Sequence, residues 1–326
     1  MSYFKSKPGT GNGGENAKTM KSLALIFTCA WVLWGCNNLN DLRPTGPDPA
    51  IPEEAVNVVK AKFPKAEELV FKPVMKDKIW EVRLKSEADR YISLVDYGKL
   101  WETYKIMPDG VPAALQASLQ KTVFAAGTLS AYTTAFFATS ANNKLVFNYK
   151  GGNYSFEWNT GGNASWATFD RSLYRLTTYD VVELPAFVAD TLRAIPTMKY
   201  VKGQTWVIMD DSRLYHVMGD TWNGQMSERI SMLFNNDGRL VWSSTKFTEL
   251  GVTGASSNMQ TVPAPIEDYL NSQDELKGFT YNLKLVSDYR GLTSYYISLS
   301  YANGRYDLYF DKDFNVVYKK CYMTFQ

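Results

Sequence analysis

The sequence has very little of the residue types that build most catalytic and metal sites. Its 326 residues include one histidine, His216, and three cysteines, Cys29, Cys36 and Cys321. A zinc site needs several histidine or cysteine ligands and a Ser-His-Asp triad needs an oriented imidazole, so the composition argues against both. Basic and acidic residues nearly balance, at 35 against 33, and no basic run stands out. The sequence therefore predicts no nucleic-acid partner.

The motifs of common enzyme families are also missing, since the chain has no G-x-S-x-G, H-E-x-x-H or P-loop pattern. Carboxylates at 210–211 and 311–313 fit tight turns better than a calcium loop, because the EF-hand glycine and glutamate are absent. These features predict a non-enzymatic protein without a cofactor or metal. One alternative stays open, an envelope hydrolase built around His216, and it needs a carboxylate paired with that imidazole.

Residues 1–35 have the features of a secretion signal. After a polar lead, Met20 and Lys21 open a short basic segment, and an apolar run of 12 residues extends from Leu23 to Trp34. A helix that crosses a bilayer needs about 20 apolar residues, so this run has the length of a signal-peptide core. An uncleaved anchor is the alternative interpretation.

The end of this run, Leu33-Trp34-Gly35-Cys36, resembles the lipobox of bacterial lipoproteins. The resemblance implies cleavage before Cys36, acylation of that cysteine, and attachment to the outer membrane of a Gram-negative bacterium, on its periplasmic or surface face. A chance cysteine is the alternative. Residues 36–50 contain three prolines and no apolar pattern, so they are predicted to tether the lipid to the folded body. Cys321 then has no partner for a disulfide.

An apolar residue followed by proline opens a helix-like segment four times. The pairs are Ile51-Pro52, Val111-Pro112, Leu184-Pro185 and Val262-Pro263. Proline suits the first turn of a helix because its missing N–H has no partner there anyway. Apolar residues follow each pair at helical spacing, as at positions 56, 59 and 63. The sequence therefore predicts four short helices with one apolar side each.

Downstream of each predicted helix, apolar residues recur at every second position, as in Tyr154, Phe156 and Trp158. This period is typical of antiparallel strands with one face in the core. Asp, Asn and Gly residues between the strands suit hairpin turns. Each unit is therefore predicted to be a helix followed by about four antiparallel strands. Four tandem units give an α+β fold in two domains, at residues 51–180 and 181–326.

The first unit also resembles a known family, the PepSY-like domains of envelope proteins. The resemblance rests on the runs IPEEAVNVVKAKFPKAEELVF, KIWEVRL and RYISLVDYGKLWET, which combine a proline-led helix, an F-P-x-A exit and strands that end in an Asp-x-Gly hairpin. The third unit carries the pattern less fully, in LPAFVADTLRAIP and LFNNDGRLVW. The tandem layout is similar to the β-lactamase-inhibitor-protein-like (BLIP-like) fold. The resemblance implies an envelope-located binding or inhibitory module and brings no catalytic residues.

One helix cannot cover both faces of a four-stranded sheet, so each unit is expected to leave one face open. Aromatic residues on the polar phase of a strand belong to that face, notably Tyr296 beside Ser298 and Tyr309 beside Asp307. Tyrosine and tryptophan dominate the energetics of protein interfaces. We therefore predict a protein partner bound through the open face, with Tyr296 and Tyr309 as candidate contacts. A glycan bound by exposed tryptophan and tyrosine side chains is the alternative.

Overall fold

The structure, a computed structural model, describes most of the chain after residue 50. The described residues are 51–136, 142–159, 165–195, 198–222, 227–248, 251–255, 257–258, 261–289 and 292–325. The predicted signal peptide, Cys36 and the tether lie outside the described residues. So do residues 137–141.

Four α-helices occur in the described ranges, at the four predicted places. They are α1 (Glu53–Lys62), α2 (Ala113–Leu119), α3 (Ala186–Arg193) and α4 (Ala264–Ser272). Two short 3-10 turns accompany them, at Val181–Glu183 and Asp274–Leu276. The proline of each apolar-proline pair occupies the N-cap in an extended conformation, so the helices begin one residue later than expected. An extended backbone is the usual conformation at an N-cap, and proline adopts it easily.

Strands make up most of the remaining structure. Those that follow α1 are β1 (Ala66–Met75), β2 (Ile79–Ser86), β3 (Asp89–Val95) and β4 (Leu100–Ile106). Those that follow α2 are β5 (Thr128–Ala135), β6 (Asn142–Tyr149), β7 (Gly152–Asn159), β8 (Ser165–Asp170) and β9 (Ser172–Thr178). Those that follow α3 are β10 (Met198–Ile208), β11 (Arg213–Trp222), β12 (Ser227–Phe234), β13 (Leu240–Ser243), β14 (Thr245–Thr248), β15 (Gly251–Ala255) and β16 (Ser257–Asn258). Those that follow α4 are β17 (Thr280–Tyr289), β18 (Leu292–Tyr301), β19 (Gly304–Phe310) and β20 (Val316–Phe325).

The described strands form two sheets. The long sheet has fifteen strands, in the order β1 to β8, then β20, β19, β18, β17, β14 and β15, with β16 beside β17. The short sheet has five strands, in the order β13, β12, β11, β10 and β9. The strand pairs are antiparallel except for a parallel contact between β14 and β17. The predicted α+β class with antiparallel sheets is confirmed.

The sheets do not follow the predicted division of the chain. In the long sheet, strand β8 pairs with β20. The chain passes from the long sheet to the short sheet at Arg171, and there β9 pairs with β10. Both sheets therefore combine strands from either side of residue 180. Contacts between Cα atoms group residues 52–326 into one compact unit. The two domains and the four tandem units stay predictions.

Helices cover one face of each sheet, as expected. The apolar sides of α2 and α4, with Leu115, Leu119 and Ile266 fully or almost fully buried, pack against the aromatic face of β5–β8 and β18–β20. Phe124 and Phe169 lie at the centre of this core, with their ring centroids 5.0 Å apart. A second core forms where Val188 and Leu192 of α3 meet β11 and β12.

The short sheet covers part of the face that the helices leave free. Trp206 and Trp242 of the short sheet pack against Tyr318 of the long sheet, with Tyr296 and Tyr309 beside them. On its other side, Tyr174, Leu176 and Val207 pack against Val74, Ile79 and Leu94 of the long sheet. The expectation of a fully open face is therefore wrong where the two sheets meet. An intramolecular sheet can bury the same aromatic residues that a partner would bury.

Candidate binding site

The structure brings the two predicted contact residues together, but partly inside the protein. Tyr296 and Tyr309 are directly opposite each other on β18 and β19, and their ring centroids are 5.0 Å apart. The Tyr296 hydroxyl donates a hydrogen bond to Asp307 Oδ1 at 2.8 Å. Burial raises the pKa of both phenols above their ordinary value. Both side chains are half-buried and line a shallow pocket of about 180 Å³, together with Trp242 and Ser294.

Eight charged side chains of alternating sign extend across this face of the long sheet, from β4 to β19, and one of them lies on β9 of the short sheet. In order, the members of this charge ladder are Glu102, Lys144, Glu157, Arg175, Asp170, Lys320, Asp307 and Arg305. Consecutive members are joined by ion pairs or by directly opposed positions on adjacent strands. The charge ladder therefore has no net charge. Several of its members are largely buried.

The strongest links of the charge ladder satisfy its buried members. Asp170, only 3% exposed, accepts hydrogen bonds from Arg175 and from the Tyr318 hydroxyl, the latter at 2.9 Å. Burial opposes the charge of Lys144, but Glu102 at 2.7 Å outweighs that effect and raises the pKa of the amine. Because Asp170 and Lys144 already have partners of opposite sign, they serve as structural groups rather than as free ligands.

Where the charge ladder ends at Arg305, two aromatic side chains are also accessible on this face of the long sheet. Trp166 is 40% exposed, Arg305 is exposed, and Tyr322 is half-buried between them. Tyr322 lies directly opposite Arg305 on β19, and the guanidinium carbon is 4.3 Å from the Tyr322 ring centroid. The residue opposite Trp166 is Thr324, two positions beyond Tyr322 on the same strand. We call Trp166, Arg305 and Tyr322 the open-face patch.

A larger cavity, of about 570 Å³, lies between the two sheets at a different place. We call it the hairpin cleft. Its walls are the β1–β2 turn at residues 75–79, the β3–β4 turn at residues 96–101, the end of β9 at residues 176–178, and the residues Glu183 and Thr205. Tyr97, 48% exposed, and Trp101, 37% exposed, stand on one of these walls.

His216 lies on β11, and its surroundings do not resemble those of a general base. Its ring centroid is 5.0 Å from that of Trp206, and its Nδ1 atom is buried without a hydrogen-bond partner. Burial and the nearby cations of Lys202 and Arg175 lower the pKa of His216 from 6.5 to about 4. A general base near neutral pH instead needs an orienting partner and a pKa close to the working pH.

Cys321 is fully buried in the aromatic core, as expected of a small packed residue, and burial raises the pKa of its thiol. The predicted turn carboxylates also serve turns, since Asp210 and Asp311 each accept hydrogen bonds from the backbone of their own hairpin. The described part of the chain contains no cluster of three or more His, Cys, Asp or Glu side chains that could hold a metal ion. Among the described helices, none is long and apolar enough to span a bilayer.

Neither the open-face patch nor the hairpin cleft was predicted from the sequence, although part of the signal is present there. Trp166 shares its strand phase with Thr168 and Asp170, opposite to the phase of the core residue Phe169. Tyr97 stands between Asp96 and Gly98, in a turn sequence that needs no large side chain. No protein-family model matches the chain, and no curated protein sequence matches it.

Proposed function

We propose that this protein is a non-enzymatic binding module of the cell envelope, anchored to the outer membrane through lipid on Cys36, that recognises a protein partner through the open-face patch. The observation that carries the proposal is the grouping of Trp166, Tyr322 and Arg305 on a sheet face. Tryptophan, tyrosine and arginine are the residue types that contribute most at protein interfaces.

The charge ladder supports a largely apolar contact. Its charges alternate in sign, so this face presents little net charge to a partner. Arg305 is held at 3.0 Å from Asp307 and stacks on Tyr322, which fixes the guanidinium before binding. This surface fits a partner that places an apolar side chain on Trp166 and a hydrogen-bond acceptor at Arg305. Because Arg305 is already held in place, it loses little entropy when the partner binds.

We further propose that the chain consists of four tandem PepSY-like, BLIP-like units, paired as two domains at residues 51–180 and 181–326. In support, each of the four helices follows an apolar-proline pair and precedes at least four strands. The first unit, α1 with β1–β4, has its strands in sequential order within the long sheet. A separately expressed chain of residues 51–180 that folds cooperatively supports this division, and one that stays unfolded contradicts it.

The proposal is tested by affinity capture from detergent-solubilised cell envelopes with the full chain as bait. We expect the wild-type protein to retain a defined protein, and Trp166→Ala to lose it. Trp101→Ala is the matched control, because Trp101 is similarly exposed but lies on a different surface. Capture that is unchanged by Trp166→Ala, or the absence of any specifically retained protein, contradicts the proposal.

The anchor has its own test, which does not depend on the partner. Cys36→Ser removes the thiol that is predicted to be acylated, so it should abolish incorporation of labelled palmitate. It should also move the protein from the membrane fraction to the soluble fraction, because stable attachment needs two or three acyl chains. The control is Cys29→Ser, which removes the other cysteine of the predicted signal and should leave both readouts unchanged. Membrane attachment of the Cys36→Ser protein contradicts lipid anchoring at this residue.

A further inference from the structure

The hairpin cleft offers two accessible aromatic rings that are fixed in place before any ligand arrives. The Trp101 indole N–H donates to Asp96 Oδ2 at 2.7 Å. The other oxygen of that carboxylate accepts the backbone N–H groups of Gly98 and Lys99, at 2.7 and 2.8 Å. Asp96 therefore holds both the turn and the indole.

Tyr97 is held by a separate set of contacts. Its hydroxyl donates to the backbone oxygen of Asp77 at 2.8 Å, across the neighbouring turn. Its ring meets Trp80 edge-on, with the centroids 5.4 Å apart. Both exposed rings are therefore preorganised, so a ligand that stacks on them does not have to immobilise them first.

The lining of the cleft combines apolar surface with hydroxyl groups and balanced charge. Ile79 and Leu176, both less than a tenth exposed, supply apolar surface, and Thr177 and Thr178 supply hydroxyls. The charged lining consists of Lys78 and Lys99 against Asp96 and Glu183, with no net charge. The volume of about 570 Å³ lies within the range of about 300–1,000 Å³ typical of small-ligand sites.

This chemistry matches an uncharged carbohydrate. A sugar ring has an apolar C–H face that suits the electron-rich face of an indole, and its rim of hydroxyls needs both donors and acceptors. The ammonium of Lys99 lies 3.8 Å from the Trp101 ring centroid and occupies one face of the indole, so a sugar that stacks on this ring has to use the opposite face. A phosphate or carboxylate ligand gains less here, because Asp96 and Glu183 offset the two lysines.

We propose that the hairpin cleft is a binding site for a neutral oligosaccharide, with one sugar ring stacked on Trp101 beside Tyr97. The site is separate from the open-face patch, so the two binding activities can be removed independently.

The test is isothermal titration calorimetry of the full chain in detergent with six neutral hexasaccharides as probes: cello-, laminari-, malto-, chito-, manno- and xylohexaose. We expect at least one to bind, and Trp101→Ala to weaken that binding by at least about tenfold. Tyr97→Ala is the second variant and should also weaken binding, because this exposed side chain can be truncated without opening the core. Trp166→Ala is the matched control and should leave the affinity unchanged.

Three outcomes overturn the proposal. These are the absence of binding by all six probes, binding that both Trp101→Ala and Tyr97→Ala leave unchanged, and binding of an anionic probe, hexagalacturonate, in place of the neutral ones. If any of these outcomes occurs and Trp166→Ala still abolishes capture of the protein partner, the protein-binding proposal stands. Melting temperatures of all variants within about 3 °C of the wild type show that the fold is retained.

Discussion

At the scale of single residues, buried carboxylates bound by tyrosine hydroxyls organise the middle of the protein. The pairs are Tyr174 with Glu81, Tyr318 with Asp170, and Tyr296 with Asp307. Burial and the neighbouring carboxylate raise the pKa of each tyrosine, so the phenol stays a neutral donor. The first pair joins the short sheet to the long sheet. These bonds allow polar strand positions to be buried without unsatisfied groups.

Asp170→Asn tests how far stability depends on this network. The substitution removes the nearer of the two carboxylates that pair with the largely buried guanidinium of Arg175 and leaves only Glu157, at 4.0 Å, so we expect a loss of about 3 kcal/mol in the free energy of unfolding. Tyr318→Phe removes only one neutral donor and should cost about 1 kcal/mol. Urea unfolding measures both. Asp190→Asn is the control, because its ion pair with Arg193 is on the surface and its loss should hardly register. A loss from Asp170→Asn no greater than that of the control contradicts this role.

His216 predicts a specific dependence of stability on pH. Its pKa is about 4 in the folded protein, below the ordinary value of 6.5. Between pH 6.5 and 4 the unfolded chain binds a proton on His216 that the folded protein does not bind. The contribution of the neutral imidazole to the free energy of unfolding is therefore complete above pH 6.5 and is lost as the pH falls towards 4. The expected loss is about 3 kcal/mol. His216→Phe should remove this part of the decline in denaturant titrations at several pH values, and parallel curves for the two proteins contradict the assignment.

At the scale of elements, the local patterns could be predicted well because local rules determine them. The four apolar-proline helices, the alternation of Tyr154, Phe156 and Trp158, and the turn at Asp311 depend on residues close in sequence. Helix ends were less predictable: Val123 continues the helical spacing of α2 but lies beyond its end and is 39% exposed. The segment between 129 and 143 has no clean period, yet tertiary pairing with β6 makes residues 128–135 a strand.

Gly127, between α2 and β5, tests the packing of the helix-covered core. A Cβ atom at this position would lie 2.1 Å from Cε2 of Phe147, a ring that is completely buried. Gly127→Ala should therefore lower the free energy of unfolding by about 1–3 kcal/mol, since neighbouring rings prevent Phe147 from moving aside. Gly98→Ala is the matched control, because the nearest atom to its Cβ is 3.8 Å away. Equal denaturation midpoints for the two variants contradict this packing.

At the scale of the whole molecule, strand pairing between distant segments decides which surfaces are free. Nothing in the local sequence indicates that β8 pairs with β20 or that β9 joins the short sheet. The same alternating pattern fits an exposed polar face and a face covered by another sheet. For this reason Tyr296 and Tyr309 could be assigned to a face, but their burial by Trp242 and its neighbours could not be predicted. Trp166 and Tyr322 remain accessible on the same face.

The central claim is that this protein recognises a protein partner through the open-face patch. Site-specific photo-crosslinking in intact cells tests it most directly, with a benzoylphenylalanine photo-crosslinker in place of Trp166 and, as the control, in place of the similarly exposed Val123. We expect one defined protein adduct from position 166 and none from position 123. No adduct at position 166, or the same adducts from both positions, contradicts it.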